Sequence, residues 1–133
     1  MKGKALALAF GVAALCFAAP ASANKNIVAI ALNPTTGVGS AYYGPVTLAV
    51  AEQSAVAECN AKHGPQCVYA GSAAGGCVAV AVGYIYRYEA ATGPSVKAAE
   101  VEARNKLIAD GPAATDGNPI VWGACSDGSS DGA

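Results

Sequence analysis

The sequence has little charge of either sign and almost no histidine. Its 133 residues include 8 Lys and Arg, 9 Asp and Glu, and one His, for a formal net charge of −1. Proteins that bind nucleic acids need a strongly basic surface, so this composition excludes a nucleic-acid partner. With a single histidine, His63, the chain has no second imidazole for a metal site or a proton relay. We therefore predict no metal and no cofactor.

The known catalytic motifs are also missing. The sequence contains no G-x-S-x-G, no H-E-x-x-H and no P-loop lysine. The glycine-rich stretch G-V-G-S-A-Y-Y-G (37–44) follows a P-T-T-G turn, so it fits a β-hairpin better than a phosphate-binding loop. Carboxylates are few, and no spacing pairs two of them. We predict that the protein is not an enzyme and assign no catalytic residue.

The N-terminus has the features of a secretory signal peptide. Lys2 and Lys4 precede an apolar run over residues 5–19, and Ala21-Ser22-Ala23 forms a small-residue cleavage site. We predict a signal peptide over 1–23, a single domain over 24–125 and a flexible polar tail over 126–133. Loss of the leader moves the formal charge from −1 to −3. No other apolar stretch approaches membrane length, so we expect a secreted or periplasmic protein with no membrane partner after cleavage.

Two parts of the chain resemble each other. The stretches V-A-I-A-L-N-P (28–34) and V-A-V-A-V-G (78–83) are each followed by a Gly- and Tyr-rich segment, a Gly-Pro pair and an alanine-rich segment with helical spacing. Each part closes on an apolar run that ends in cysteine. Thr47 and Ser95 are suitable N-caps for the two helices. We predict an α+β fold of two β-β-α-β copies, with a mostly antiparallel sheet and both helices on one face.

Four cysteines remain after the leader: Cys59, Cys67, Cys77 and Cys125. An even number of cysteines in a small exported domain indicates disulfides. The first two flank His63 as C-x₃-H-x₃-C, which is not a common zinc spacing and lacks an evident fourth ligand.

The internal similarity selects one disulfide connectivity. When the two copies are aligned, Cys59 falls opposite Leu107 and Cys67 falls opposite Ile120. Residues that touch in one copy should touch in the other. We therefore predict the disulfides Cys59–Cys67 and Cys77–Cys125, and we expect Leu107 and Ile120 to be buried in contact.

The pattern A-I-A…G…A-x-x-x-A…C…C…G-C-x-A-V-A, from Ala29 to Ala81, resembles the exported bacterial domain-of-unknown-function family four-one-eight-nine. Its most specific part is G-G-C-V-A-V-A (75–81), and the resemblance extends from about Val28 to Cys125. It implies export and a fold, and no established reaction. Members commonly carry a further cysteine pair where this chain has Leu107 and Ile120.

The stretch Y-I-Y-R-Y (84–88) is the one candidate for a functional surface. On a β-strand, Tyr84, Tyr86 and Tyr88 would lie on one face, with Ile85 and Arg87 on the other. The tyrosines would then either pack in the core under a helix or form an exposed aromatic ladder, with Tyr42 or Tyr43 nearby. Aromatic residues and arginine are frequent anchors of binding surfaces. We assign Tyr84, Tyr86, Arg87 and Tyr88 as candidate binding residues.

These observations favour a small non-catalytic binding module that acts in the envelope or outside the cell. Its partner would be a protein or a glycan, and one such role is to inhibit or neutralise another exported protein. Two alternatives are a small extracellular enzyme acting on cell-wall or surface material and a structural envelope protein.

Overall fold

The computed structural model describes residues 26–111, 114 and 117–131, with the backbone alone for Ile85, so the predicted signal peptide lies outside the described residues. The helices and strands occur in the order β1 (Ile27–Leu32), β2 (Gly39–Gly44), α1 (Leu48–His63), β3 (Val68–Ala74), β4 (Cys77–Val82), β5 (Tyr88–Gly93), α2 (Val96–Ala109) and β6 (Ile120–Cys125). A 3₁₀ turn, Tyr84–Tyr86, connects β4 to β5. None of the helices in the described part of the chain is long and apolar enough to cross a membrane.

The six strands form two antiparallel sheets of identical topology. Sheet 1 has the order β2-β1-β3 and sheet 2 has the order β5-β4-β6. In each sheet the first strand of its half is central, and the strand after the helix returns to its other side. The predicted α+β fold of two β-β-α-β copies is confirmed.

The two sheets pack face to face, and each helix covers the outer face of its own sheet. The central strands β1 and β4 alternate branched residues with alanine, and both are buried along nearly their whole length. The branched faces meet in an inter-sheet core formed by Val28, Ile30, Leu32, Val78, Val80, Val82, Trp122 and Ala124. The alanine faces lie under the helices. The prediction that both helices lie on one face is therefore wrong. Each sheet has two apolar faces to cover, and each helix covers one face of its own sheet.

Both helices begin at the predicted caps. The hydroxyl of Thr47 accepts a hydrogen bond from the backbone N–H of Val50 at 3.3 Å, and that of Ser95 accepts one from Ala98 at 3.1 Å. The inward positions are Ala51, Ala55 and Cys59 in α1, and Ala99, Ala103 and Leu107 in α2, so all of them except Leu107 are small. Small side chains allow each helix to approach its sheet closely.

Both predicted disulfides are present. Cys59–Cys67 joins the end of α1 to the start of β3, with 6.0 Å between the Cα atoms. Cys77–Cys125 joins the paired strands β4 and β6 across a sequence separation of 48 residues. All four cysteines after the predicted leader are thereby consumed.

The prediction of a buried contact between Leu107 and Ile120 is wrong, because Ile120 is exposed. Ile120 and Val68 are both the first residue of a returning strand, so Ile120 corresponds to Val68 and not to Cys67. A slip of one residue turns a strand side chain to the opposite face, and Ile120 is 44% exposed. Leu107 is fully buried, and it packs with Ala114 from the longer loop of this half.

The described part of the predicted flexible tail folds back along sheet 2. Ser130 pairs with Ala124 in a β-bridge, and the backbone N–H of Cys125 donates to the carbonyl of Ser129 at 2.8 Å. A carboxylate oxygen of Asp131 accepts a hydrogen bond from the N–H of Gly123 at 2.8 Å. Residues 126–131 thus supply partners for the backbone groups of β6, an edge strand, that would otherwise be exposed.

Candidate functional site

The turns of the two hairpins lie side by side at one end of the domain. Asn33 organises the β1–β2 turn: its side-chain oxygen accepts from the N–H of Thr35 at 2.9 Å, and its carbonyl accepts from the N–H of Gly37 at 2.8 Å. The side-chain amide of Asn33 also donates to the carbonyl of His63 at 3.0 Å. The turn is therefore fastened to the end of helix α1.

Trp122 fixes the same turn to the other sheet. Its indole N–H donates to the carbonyl of Gly37 at 3.1 Å, and its side chain is 97% buried in the inter-sheet core. Gly37 has a φ of +80°, and a Cβ at this position would lie 2.7 Å from Cδ1 of Ile120. Ile120 thus packs directly against the turn, and a side chain at position 37 would be strained by the positive φ and would displace the end of Ile120.

The connection from β4 to β5 is a tight turn, which corrects the prediction of a strand through Tyr84–Tyr88. The N–H of Gly83 donates to the carbonyl of Arg87 at 2.7 Å, and the N–H of Arg87 donates to the carbonyl of Tyr84 at 3.3 Å. A Cβ on Gly83 would overlap the carbonyl oxygen of Ala114. Only glycine at position 83 lets the end of β4 pass this close to the loop that contains Ala114, and the chain then reverses direction into β5.

The four candidate binding residues have three different environments. Tyr84 and Tyr86 are 58% and 62% exposed and lie on the same turn. Tyr88, the first residue of β5, packs against the inter-sheet core. Arg87 forms an ion pair with Asp110 at 3.9 Å, beyond the C-terminal end of α2. The structure therefore brings two of the four side chains together.

The other tyrosines considered with them are distant. Tyr42 packs against the core beneath α1, and Tyr43 pairs with Val28 at the opposite end of β2 from the turn. The exposed ring of Tyr43 instead contacts the region of Gly128 in the folded-back tail. The expected proximity of Tyr42 or Tyr43 to the Y-I-Y-R-Y stretch is wrong, because the β1–β2 hairpin is antiparallel and carries them away from its turn.

A shallow groove of about 480 Å³ lies between the two turns. We call it the turn groove. Its side chains include Thr35, Thr36, Tyr84, Tyr86, Asn118 and Ile120. Among the described residues that line it, the only ionisable side chains are the two tyrosines. The turn groove can stack against flat, weakly polar groups and can exchange hydrogen bonds with hydroxyls and amides.

Sequence reasoning identified two of these six side chains. The sequence predicts a turn at the P-T-T-G segment. The position of this turn beside the second hairpin depends on how the two sheets pack, which local sequence does not show. Asn118 and Ile120 reach the turn groove because β6 begins at this end of sheet 2. A sequence signal for Asn118 and Ile120 is the repeated β-β-α-β order itself, which brings the start of each returning strand beside the turn of its own hairpin.

Two carboxyl pairs, Glu89–Asp110 and Glu100–Asp131, lie beside helix α2 and outside the turn groove. Burial, together with a hydrogen bond and the charge of Asp110, raises the pKa of Glu89 above its ordinary value. Burial, followed by the hydrogen bond and charge of Asp131, raises the pKa of Glu100 to about 7. Within the described ranges, no group of three or more His, Cys, Asp or Glu side chains is placed to hold a metal ion. These carboxyl groups are placed to fasten β5 and the folded-back tail to α2.

The Glu100–Asp131 pair predicts that stability depends on pH. Folding raises the pKa of Glu100 from 4.5 to about 7. Between pH 4.5 and about 7 the folded protein therefore binds more protons than the unfolded chain. The stabilisation contributed by this pair should be largest below about pH 4.5 and be lost as pH rises through about 7. We expect a loss of about 1 kcal/mol, because water screens this partly exposed pair. Urea unfolding of the wild type at about pH 5 and about pH 8 measures it.

Two variants separate this pair from other titrating groups. Glu100→Gln should remove the part of the fall in stability that comes from this pair and leave the part that comes from Glu89, whereas Glu102→Gln, the same change at an exposed position of α2, should leave the whole fall in place. An equal pH dependence in Glu100→Gln and the wild type would show that Glu100 and Asp131 do not share a proton.

Comparison with protein families gives one match. The family model described as Domain of unknown function (DUF4189) matches residues 28–120, which extend from the second residue of β1 to the first residue of β6 and include both helices. Comparisons with curated proteins and with solved structures find no match. The matched residues include all the described residues that line the turn groove. With most of its length matched, the chain belongs to the DUF4189 family.

Proposed function

We propose that the protein is a non-catalytic binding module that acts outside the cytoplasm, and that it holds its partner in the turn groove. Two disulfides in a domain of this size are typical of proteins that fold in an oxidising compartment. The predicted signal peptide is consistent with that compartment. Secretion and residence in the periplasm both satisfy these observations.

The backbone of Tyr86 is the observation that carries the proposal. Tyr86 has a φ of +61°, and it is the one residue other than glycine with positive φ in the described part of the chain. This conformation costs a bulky residue about 1–3 kcal/mol. The ring is 62% exposed, so burial does not offset that cost. Strained residues that persist without a packing role concentrate at binding and catalytic sites.

A binding role fits the surroundings of Tyr86 better than a catalytic one. The described groove residues include no carboxylate, imidazole or thiol, and the pairs Glu89–Asp110 and Glu100–Asp131 lie outside the groove. A nucleophile–base pair is the minimum for most hydrolytic mechanisms. Exposed tyrosines beside a groove are instead a frequent arrangement at binding surfaces.

Replacement of Tyr86 with glycine tests this proposal. Glycine adopts positive φ without strain, so Tyr86→Gly should keep or raise the free energy of unfolding, by up to about 1 kcal/mol. The same change should weaken partner binding by about 2 kcal/mol, as loss of an interface hot spot does. Thermal melts give the first quantity, and capture from secreted and envelope fractions by the immobilised mature chain gives the second.

Tyr43→Ala is the matched control, because Tyr43 is also an exposed tyrosine but lies at the other end of the domain. It should leave capture unchanged. If Tyr86→Gly instead destabilised the fold by about 3–5 kcal/mol, as loss of a buried ring does, Tyr86 would be a core residue and the proposal would fail.

A further inference from the structure

We propose that the occupant of the turn groove is an uncharged glycan chain, whose sugar rings stack on Tyr84 and Tyr86. This inference rests on the proposed function and specifies its ligand. The protein partner expected from the sequence, such as an exported enzyme to be inhibited, becomes the competing outcome of the test.

The charge of the turn groove favours this ligand. Its described side chains are aromatic, aliphatic, hydroxyl or amide groups. An anionic ligand would need a cation in the groove to balance its charge, and Arg87, the cation of the Tyr84–Arg87 turn, is paired with Asp110 instead. A cationic ligand would need a carboxylate. A neutral ligand loses no ionic hydration when it enters such a groove.

The aromatic side chains suit the faces of sugar rings. A pyranose presents a face of C–H groups and a rim of hydroxyls, so it combines an apolar surface with polar edges. Tyrosine rings carry negative charge on their faces, which attracts polarised C–H groups. Tyr84 and Tyr86 are both more than half exposed and belong to one turn, so successive rings of a chain can reach both.

The polar side chains suit the hydroxyl rim. Thr35 and Thr36 contribute hydroxyls, and Asn118 contributes an amide with two donors and an acceptor. The hydroxyl of Thr36 accepts only a long hydrogen bond of 3.5 Å, from the N–H of Val38, so it keeps its donor and a lone pair for a ligand. Sugar hydroxyls both donate and accept, and these groups match them in either role.

The size and rigidity of the turn groove agree with a short stretch of a longer chain. A volume of about 480 Å³ lies within the range of small-ligand sites and is open to solvent, so a polymer can continue beyond it. Asn33 and Trp122 hold the β1–β2 turn through hydrogen bonds of 2.8–3.1 Å. A groove fixed before binding loses little conformational entropy when the ligand enters.

The test uses the mature chain and defined oligosaccharides. The neutral probes are oligomers of N-acetylglucosamine, cellulose and starch, and oligogalacturonate is the charged control. Binding is followed by isothermal titration calorimetry and by NMR shifts of the Gly83–Arg87 turn. We expect at least one neutral series to bind, with affinity that rises with chain length. Tyr84→Ala and Tyr86→Gly should each weaken it about tenfold or more, while Tyr43→Ala should not.

The outcomes separate this inference from the proposed function. If no neutral oligosaccharide binds and the wild type captures a protein in a manner that depends on Tyr86, the glycan inference is overturned and the binding function remains. If only oligogalacturonate binds, the ligand is charged and the inference is overturned. If a neutral oligosaccharide binds equally to Tyr84→Ala, Tyr86→Gly and the wild type, it binds elsewhere, and the turn groove is not its site.

Discussion

Replacement of Trp122 with alanine should lower the free energy of unfolding by about 3–5 kcal/mol. Trp122 is the largest side chain of the inter-sheet core, it is 97% buried, and its indole N–H holds the carbonyl of Gly37. Alanine would leave a cavity between the sheets and an unpaired carbonyl in the turn. Urea unfolding followed by circular dichroism measures the loss.

Trp122→Phe separates the ring from the hydrogen bond. Phenylalanine keeps most of the apolar volume but cannot donate to Gly37, so the loss should be smaller, about 1–3 kcal/mol. NMR signals of residues 33–38 should broaden in this variant, because the turn would lose its anchor to sheet 2. A loss below about 1 kcal/mol for Trp122→Ala would mean that the two sheets do not pack as described.

Removal of the Cys77–Cys125 disulfide should be the second large effect. The bond closes a loop of 48 residues, for which the chain-entropy model gives about 4 kcal/mol. The Cys59–Cys67 bond closes a loop of 8 residues, for which the same model gives about 2.5 kcal/mol. The double variants Cys77→Ala/Cys125→Ala and Cys59→Ala/Cys67→Ala should therefore differ by about 1.5 kcal/mol in urea unfolding.

The ranking of the two double variants is the informative result. Both remove two sulfur atoms from largely buried sites, so the lost packing is similar and the loop length distinguishes them. An equal or inverted order would show that the unfolded chain is already restricted around β4 and β6, for example by residual pairing of the two strands.

The local elements could be predicted from the sequence because short-range rules determine them. Thr47 and Ser95 are N-cap residues, and small residues recur at helical spacing after each of them. The disulfides could be predicted because the two halves share one order of elements, which limits how four cysteines can meet. These inferences require only the chain and its internal similarity.

The number of sheets was predictable in principle from β1 and β4. Each strand alternates alanine with a branched residue, and both kinds are apolar. A strand that is apolar on both faces must be covered on both. Alanine suits the close approach of a helix, and the branched residues suit a facing sheet. The alternation of large and small residues therefore indicated the four layers of helix, sheet, sheet and helix, although we predicted one sheet with the helices on one face.

The turn at Tyr84–Tyr86 was not predictable from periodicity. Y-I-Y-R-Y alternates as a strand does, and β-propensity favours tyrosine and isoleucine there. The decisive contact is between Gly83 and Ala114, which are far apart in the sequence. The predicted burial of Ile120 was wrong for a related reason, since an error of one residue in the register turns a side chain to the other face of the strand. Contacts between distant segments decide both positions.

The turn groove has one wall from each half of the chain. If two separate β-β-α-β units paired about a twofold axis, each side chain would appear on both walls, and every substitution would change both. Here the halves are joined, so the wall with Thr35 and Thr36 and the wall with Tyr84 and Tyr86 vary independently. A directional polymer has unlike ends, and a site with unlike walls can bind it in one orientation. Joining two alike units in one chain thus makes polarity of recognition possible in a nearly symmetric fold.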